Sequence, residues 1–148
     1  MEITQAEKEI TQTDIQKIEK KFSFQFPKEY SDHLLKYNGG KINPAIFSFV
    51  ENGNKTQSIV DWFLAIYDGE YDNLEKFIED YDGRIDENII PIAHDPGANL
   101  ICISCRPSDY GIIYFWNHEK EGLEDNYSVI ANSFNEFLNE LIDTVDQA

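Results

Sequence analysis

The sequence predicts an α+β domain: a largely antiparallel sheet of five to six strands, with N-terminal helices, one middle helix and a C-terminal helix packed on it. Three observations point there. Strand-like runs succeed one another at hairpin spacing between Ile89 and Ala131, without the intervening helices that a wound parallel sheet needs. Helical periodicity is confined to four stretches, two before the first strands, one between strands and one at the end. No repeat or proline-rich linker divides the 148 residues, so residues 1–148 read as one domain with its core from about residue 13 to 145.

The first helix is predicted to start at Thr13, with a Thr-x-x-Gln box reaching Gln16 and Ile15, Ile18 and Phe22 on one face. A second begins at Pro27, whose fixed φ suits a helix start, buries Tyr30, Leu34 and Tyr37, and stops at Asn38-Gly39-Gly40. Ala45 to Val50 and Ser58 to Tyr67 read as strands flanking the turn-rich Glu51-Asn52-Gly53-Asn54. Asp72 is expected to cap the third helix with Glu75, ahead of Leu74, Phe77, Ile78 and Tyr81, and Asp82-Gly83 to end it. Ile89 to Ala93, Leu100 to Ser104 and Gly111 to Trp116 follow as strands, with Tyr127 to Ala131 as a short one. Ser133 and Glu136 cap the last helix, whose apolar face is Phe134, Phe137, Leu138, Leu141, Ile142 and Val145.

Charge is unevenly distributed along this chain. Residues 1–60 hold eight acids and eight lysines; residues 61–148 hold twenty acids and four bases, which gives the whole net charge of −16. Ten Phe, eight Tyr and two Trp supply a real core, so the acidity is not that of a disordered segment. The field repels nucleic acid, and the one lysine-rich place, Lys17, Lys20, Lys21 and Lys28, reads as a solvated helix face balanced by Glu19 and Glu29. The N-terminus has neither the basic region nor the apolar run of a secretory signal, and the longest apolar runs are strand-sized, so neither export nor a membrane partner is expected. With only two cysteines, the sequence reads as a reduced cytoplasmic protein.

Enzyme chemistry finds little support in the pattern. GxGxxG, GxxxxGK[ST] and GxSxG are all absent. His94-Asp95 and His118-Glu119 set an imidazole beside a carboxylate, but neighbours on a strand face opposite sides. A hydrolase or metal-dependent enzyme built on His94 and His118 is retained as an alternative. Cys102-Ile103-Ser104-Cys105 is formally a CxxC, yet strand alternation sends the two sulfurs apart, which points to structural thiols. Asp80-Tyr81-Asp82-Gly83-Arg84 resembles a calcium loop but lacks its third acid and closing glutamate, and helix-ending turn chemistry accounts for it. No cofactor, metal or catalytic residue is assigned.

A binding module remains. Carboxylates around Asp61, Asp68, Glu70, Asp72, Asp80, Asp82, Asp86 and Glu87 can meet a partner's arginines and lysines, with Trp62, Tyr67, Tyr71 and Trp116 near them as candidate anchors. Two stretches then align with a known family. One is Pro27-x-x-Tyr30-x-x-x-Leu34-Leu35-x-x-Asn38-Gly39-Gly40. The other is Ile90-Pro91-Ile92-Ala93-x-Asp95-x-Gly97-x-Asn99-x-Ile101-Cys102, followed by Gly111-Ile112-Ile113-Tyr114-Phe115-Trp116-x-His118-Glu119. In order and spacing they resemble the SUKH superfamily, which includes fungal cell-wall synthesis regulators and bacterial immunity proteins. Gly97-Ala98-Asn99 stands where related sequences often have Gly-Asp or Gly-Asn. The resemblance implies an α+β domain without a catalytic site that neutralises a cognate protein toxin, often a nuclease, by binding it; a regulatory scaffold is the alternative within the same superfamily. The expected partner is a toxin with a basic surface, met by a monomer or weak dimer. The residues expected to meet it are Asp61, Trp62, Asp68, Glu70, Tyr71, Asp72, Asp95, Asn99, Trp116 and His118. Asp95, Gly97 and Asn99 also have a structural explanation as turn chemistry between two strands.

Overall fold

A computed structural model describes residues 1–143 as an α+β domain. In chain order its elements are β1 (Glu2–Thr4), α1 (Gln12–Phe22), α2 (Lys28–Lys36), β2 (Lys41–Asn43), β3 (Ile46–Glu51), β4 (Asn54–Ile59) and β5 (Trp62–Phe63). Then come α3 (Leu74–Asp80), β6 (Ile89–His94), β7 (Leu100–Ser104), β8 (Ile113–Trp116), a 3-10 turn (His118–Lys120), β9 (Tyr127–Ala131) and α4 (Phe134–Glu140). The main sheet is an antiparallel meander in the order β5-β6-β7-β8-β9, at the lower end of the predicted five to six strands. β3 and β4 form a separate hairpin, and β1 and β2 a small pair with Ile3 opposite Ile42. The sequence predicts neither β1 nor β2, because three residues are too few to display a period.

Local chemistry moves several predicted boundaries. Thr11, not Thr13, caps α1: its hydroxyl accepts from the Asp14 N–H at 3.3 Å while the Asp14 carboxylate accepts from the Thr11 N–H at 2.8 Å. Two residues further on, Thr13 is already helical. The predicted strand from Ser58 to Tyr67 does not exist as one element. β4 starts at Asn54, directly after Asn52 and Gly53, whose φ values of 53° and 79° make the left-handed two-residue hairpin turn, and it ends at Ile59. Trp62 and Phe63 then pair with His94 and Ala93 in the main sheet. α4 ends at Glu140; Leu141 turns extended, and Ile142 bridges to Ile46 of β3. Val145 lies outside the described residues.

The main sheet divides the apolar residues as strand alternation predicts. Ile101, Ile103 and Cys105 join Ile15, Ile18, Tyr30, Leu34, Phe47, Phe134 and Phe137 in the large core beneath the helices. Leu100, Cys102, Ile89 and Trp116 form a second cluster on the other face, roofed by Phe77, Tyr81 and Ile85. Each fully buried side chain of this size contributes about 1.5–3 kcal/mol, which makes the large core the chief source of stability. α3 serves both clusters: Leu74 and Ile78 enter the first and Phe77 reaches the second. It also packs against β6, whose pairing with β5 is confined to Ala93 and His94. A short β5 is thereby supplemented by a helix, one of the usual ways of covering a sheet edge.

A candidate partner-binding surface

The segment between β5 and α3 is shaped by side chains that spend their hydrogen bonds inward. Asn38 is buried at 2% exposure and acts as a false strand partner for Ile66. Its Nδ2 donates to the Ile66 carbonyl at 2.8 Å and to the Lys8 carbonyl at 2.9 Å, and its Oδ1 accepts from the Ile66 N–H at 2.8 Å. Gly39 follows with φ of 77°, and a Cβ there would sit 2.6 Å from the Ala65 Cβ, so only glycine allows this approach. The Asn-Gly-Gly run thus fixes the root of the loop instead of ending α2 with a left-handed residue; the helix closes at extended Tyr37.

Asn73 closes the loop from the other end. Its Nδ2 donates to the carbonyls of Tyr67 at 2.8 Å and Gly69 at 2.9 Å, and its Oδ1 accepts from the Lys76 N–H at 3.0 Å, which makes it the α3 cap. Asp72, the predicted cap, has φ of 52° and turns its carboxylate to His94, Oδ1 to Nε2 at 2.6 Å. The other ring nitrogen of His94 lies 3.2 Å from the Asp95 carbonyl and 3.7 Å from Asp61 Oδ2, and Phe77 stacks on the ring at 5.9 Å and 13°. The Tyr67 hydroxyl donates to the Tyr71 carbonyl, and a Cβ on Gly69 would collide with the Tyr67 ring. A closed loop results, from which Asp68, Glu70 and Tyr71 project; Tyr71, at 77% exposure, is the most exposed aromatic of the described residues.

Six of the ten predicted contact residues therefore meet. Asp68, Glu70, Tyr71 and Asp72 share the loop; Trp62 pairs with His94 across strands, and Asp61 flanks the same imidazole. Lys41 joins them, its Nζ 4.0 Å from Asp61 Oδ1 and 5.3 Å above the Trp62 ring. Asp95, Asn99 and His118 form an adjoining polar corner, joined to the cluster through the Asp95 carbonyl at His94. The buried Asp95 carboxylate accepts from the N–H groups of Gly97 and Asn99 at 2.9 Å, from Asn99 Nδ2 at 3.0 Å and from the Ser58 hydroxyl at 2.9 Å. Asn99 Oδ1 accepts from the His118 N–H at 3.1 Å. This is the turn chemistry foreseen as the structural alternative, and Ala98, the additional residue, takes φ of 67° within it. Trp116 is a correction: it is fully buried beneath Tyr81 in a T-shaped contact at 5.6 Å, so it belongs to the core and presents nothing to a partner.

The loop continues into an arm that runs through α3 to Glu87. Residues 68–87 carry nine acids (Asp68, Glu70, Asp72, Glu75, Glu79, Asp80, Asp82, Asp86, Glu87) against Lys76 and Arg84, a net of −7. Lys21 of α1 reaches Glu75 at 3.2 Å and Glu79 at 2.8 Å, and Arg84 makes a forked contact with Glu121 at 3.0 and 3.2 Å while lying over the Tyr81 ring. Asp80-Tyr81-Asp82-Gly83 is the turn that ends α3, with Arg84 and Ile85 donating N–H groups to the Tyr81 carbonyl. Among the described residues no group of three His, Cys, Asp or Glu side chains is arranged to hold a metal ion.

His94, the two cysteines and Asp109 are placed by the fold. His94 bonds Asp72 and not the carboxylate of its neighbour Asp95. Cys102 and Cys105 sit in different core clusters with both thiols pushed up by burial, the opposite of a redox pair. One polar knot is hidden in the sequence. Asp109 accepts from Arg106 at 2.5 and 3.1 Å, from the Ser104 hydroxyl at 2.5 Å and from the Tyr114 hydroxyl at 2.6 Å; the guanidinium foremost holds its carboxyl well below the usual range. The i, i+3 spacing of Arg106 and Asp109 was the only local signal. No helix among the described residues is long and apolar enough to cross a membrane.

Comparison with known proteins supplies the family. The model of the SMI1 / KNR4 family (SUKH-1) matches residues 9–140. The SPbeta prophage-derived uncharacterized protein YokK of Bacillus subtilis (strain 168) is 30% identical over 149 residues, an alignment that covers 90% of this chain and 75% of that protein.

Proposed function

The chain belongs to the SMI1 / KNR4 family (SUKH-1), and from that premise we propose that it is a cytoplasmic immunity protein that neutralises a cognate toxin by binding it. The family has immunity and regulatory roles, and its members bind partner proteins, toxins among them. The protein acts by occupation and carries no reaction of its own. What supports this is the 66–72 loop: a platform hydrogen-bonded at both ends, whose outward side chains are two carboxylates and one aromatic. Such a set suits a basic toxin surface, with Asp68 and Glu70 steering the encounter and Tyr71 anchoring it. Asp61 and Trp62 border the contact. A nuclease, which needs a cationic cleft for its own substrate, is the toxin class this charge favours.

The test is association kinetics against toxin C-terminal domains from the same genome. Asp68→Lys with Glu70→Lys is expected to slow association about ten-fold at low salt and flatten its salt dependence. Tyr71→Ala should leave association alone and speed dissociation about ten-fold. If both variants bind a captured toxin with unchanged rates, the interface lies elsewhere.

A further inference from the structure

The far end of the arm holds a groove of about 610 Å³, between the C-terminal end of α1 and the segment from Glu79 to Pro91. We propose that it receives an extended, arginine- or lysine-bearing segment of a protein partner, a second contact beyond the 66–72 loop. The inference rests on the proposed role as a binding protein and adds the place and chemistry of a second site.

Two kinds of side chain line the groove and suit such an occupant together. Phe22, Phe24 and Ile85 are half-buried and provide an apolar surface, Phe24 being fixed edge-on against Phe26 at 4.7 Å. Asp82, Asp86 and Glu87 are exposed around them. Among the described residues Asp82 and Glu87 have no ion-pair partner, and Asp86 has only Arg106 at 3.4 Å. The protein's own Lys21 shows which group this rim accepts. Its ammonium lies against Glu79 and Glu75 and 5.4 Å from the centre of the Phe22 ring, combining carboxylate and aromatic contact at the groove's border. A partner cation placed between Asp82 and Glu87 and beside Asp86, whose one ion pair is the 3.4 Å contact with Arg106, with an apolar neighbour over Phe24 and Ile85, would repeat that arrangement. An acidic or purely apolar segment would leave these carboxylates desolvated without a counter-charge, so charge selects the occupant.

The probe is a peptide of about eight residues alternating arginine and leucine, titrated into the full 15N-labelled chain and followed by amide chemical shifts. The largest shifts are expected at Phe22 to Phe24 and Asp82 to Ile90. Asp82→Asn with Glu87→Gln should weaken binding about ten-fold, and Asp68→Asn with Glu70→Gln less than two-fold. An alternating glutamate–leucine peptide should not bind. Shifts centred on residues 66–72 or spread over every acidic segment, or equal losses in the two variants, would overturn the groove. These outcomes do not depend on a toxin. Loss of toxin binding in the loop variants alone tests the function proposed above, whereas the peptide result stands or falls with the groove.

Discussion

His33 shows what burial does to a single titratable side chain. At 8% exposure its ring is enclosed by Tyr37, Phe63 and Phe134 at 5.4, 5.6 and 4.9 Å, and burial, with a smaller push from Lys36, lowers its pKa from 6.5 to about 4. The fold therefore holds the neutral form. Between pH 6.5 and 4 the unfolded chain takes up a proton that the folded chain refuses, so stability is full above that window and falls through it, by about 3 kcal/mol from this group alone. Urea unfolding at pH 7 and pH 4.5 should show His33→Leu losing less stability over that interval than the parent; an equal loss would mean the imidazole protonates freely in place. Single residues differ in how much of this their sequence reveals. The roles of Asp95 and Asn99 were legible, because Asp-x-Gly-x-Asn is turn chemistry that its own neighbours satisfy. The role of Asp72 was not. Asp72 and Asn73 are equally good caps, and the choice is made by His94, 22 positions away in sequence.

At the scale of elements, the 66–72 loop hangs on Asn73 more than on its own residues. Asn73→Ala removes the α3 cap and leaves the Tyr67 and Gly69 carbonyls without their donor, at an expected cost of about 1–3 kcal/mol. Hydrogen exchange should locate the effect: amides of residues 66–76 exchange faster while those of β7 and β8 stay protected. A uniform loss of protection would mean that the loop is not an independently opening unit. The central strands were legible because both faces are buried and the runs are bounded by turn residues, as in Leu100–Ser104. β4 begins before the predicted Ser58 because Asn54–Ile59 is polar and at most half-buried, so no apolar period marks it. β5 lasts two residues, and only its pairing with β6 defines it. What the sequence disclosed least was tertiary pairing.

For the whole molecule, twenty-eight acids against twelve bases leave far more carboxylates than cations to pair them. Exposed pairs such as Lys21–Glu79, Arg84–Glu121 and Lys120–Asp125 contribute little each, and salt weakens them. Self-repulsion spans the molecule, and salt relieves it over a Debye length that shortens to about 8 Å at physiological ionic strength. Raising sodium chloride from 10 to 500 mM should therefore raise the unfolding temperature; a decrease would mean that local pairs outweigh net charge. The arm is buried along one side only. Of residues 68–87, only Asn73, Leu74 and Ile78 are buried, and half-buried Phe77, Tyr81 and Ile85 complete its inner side. A single uninterrupted stretch thus meets the outside world on scaffolding anchored elsewhere. Its outward side chains can therefore be exchanged without disturbing the hidden framework.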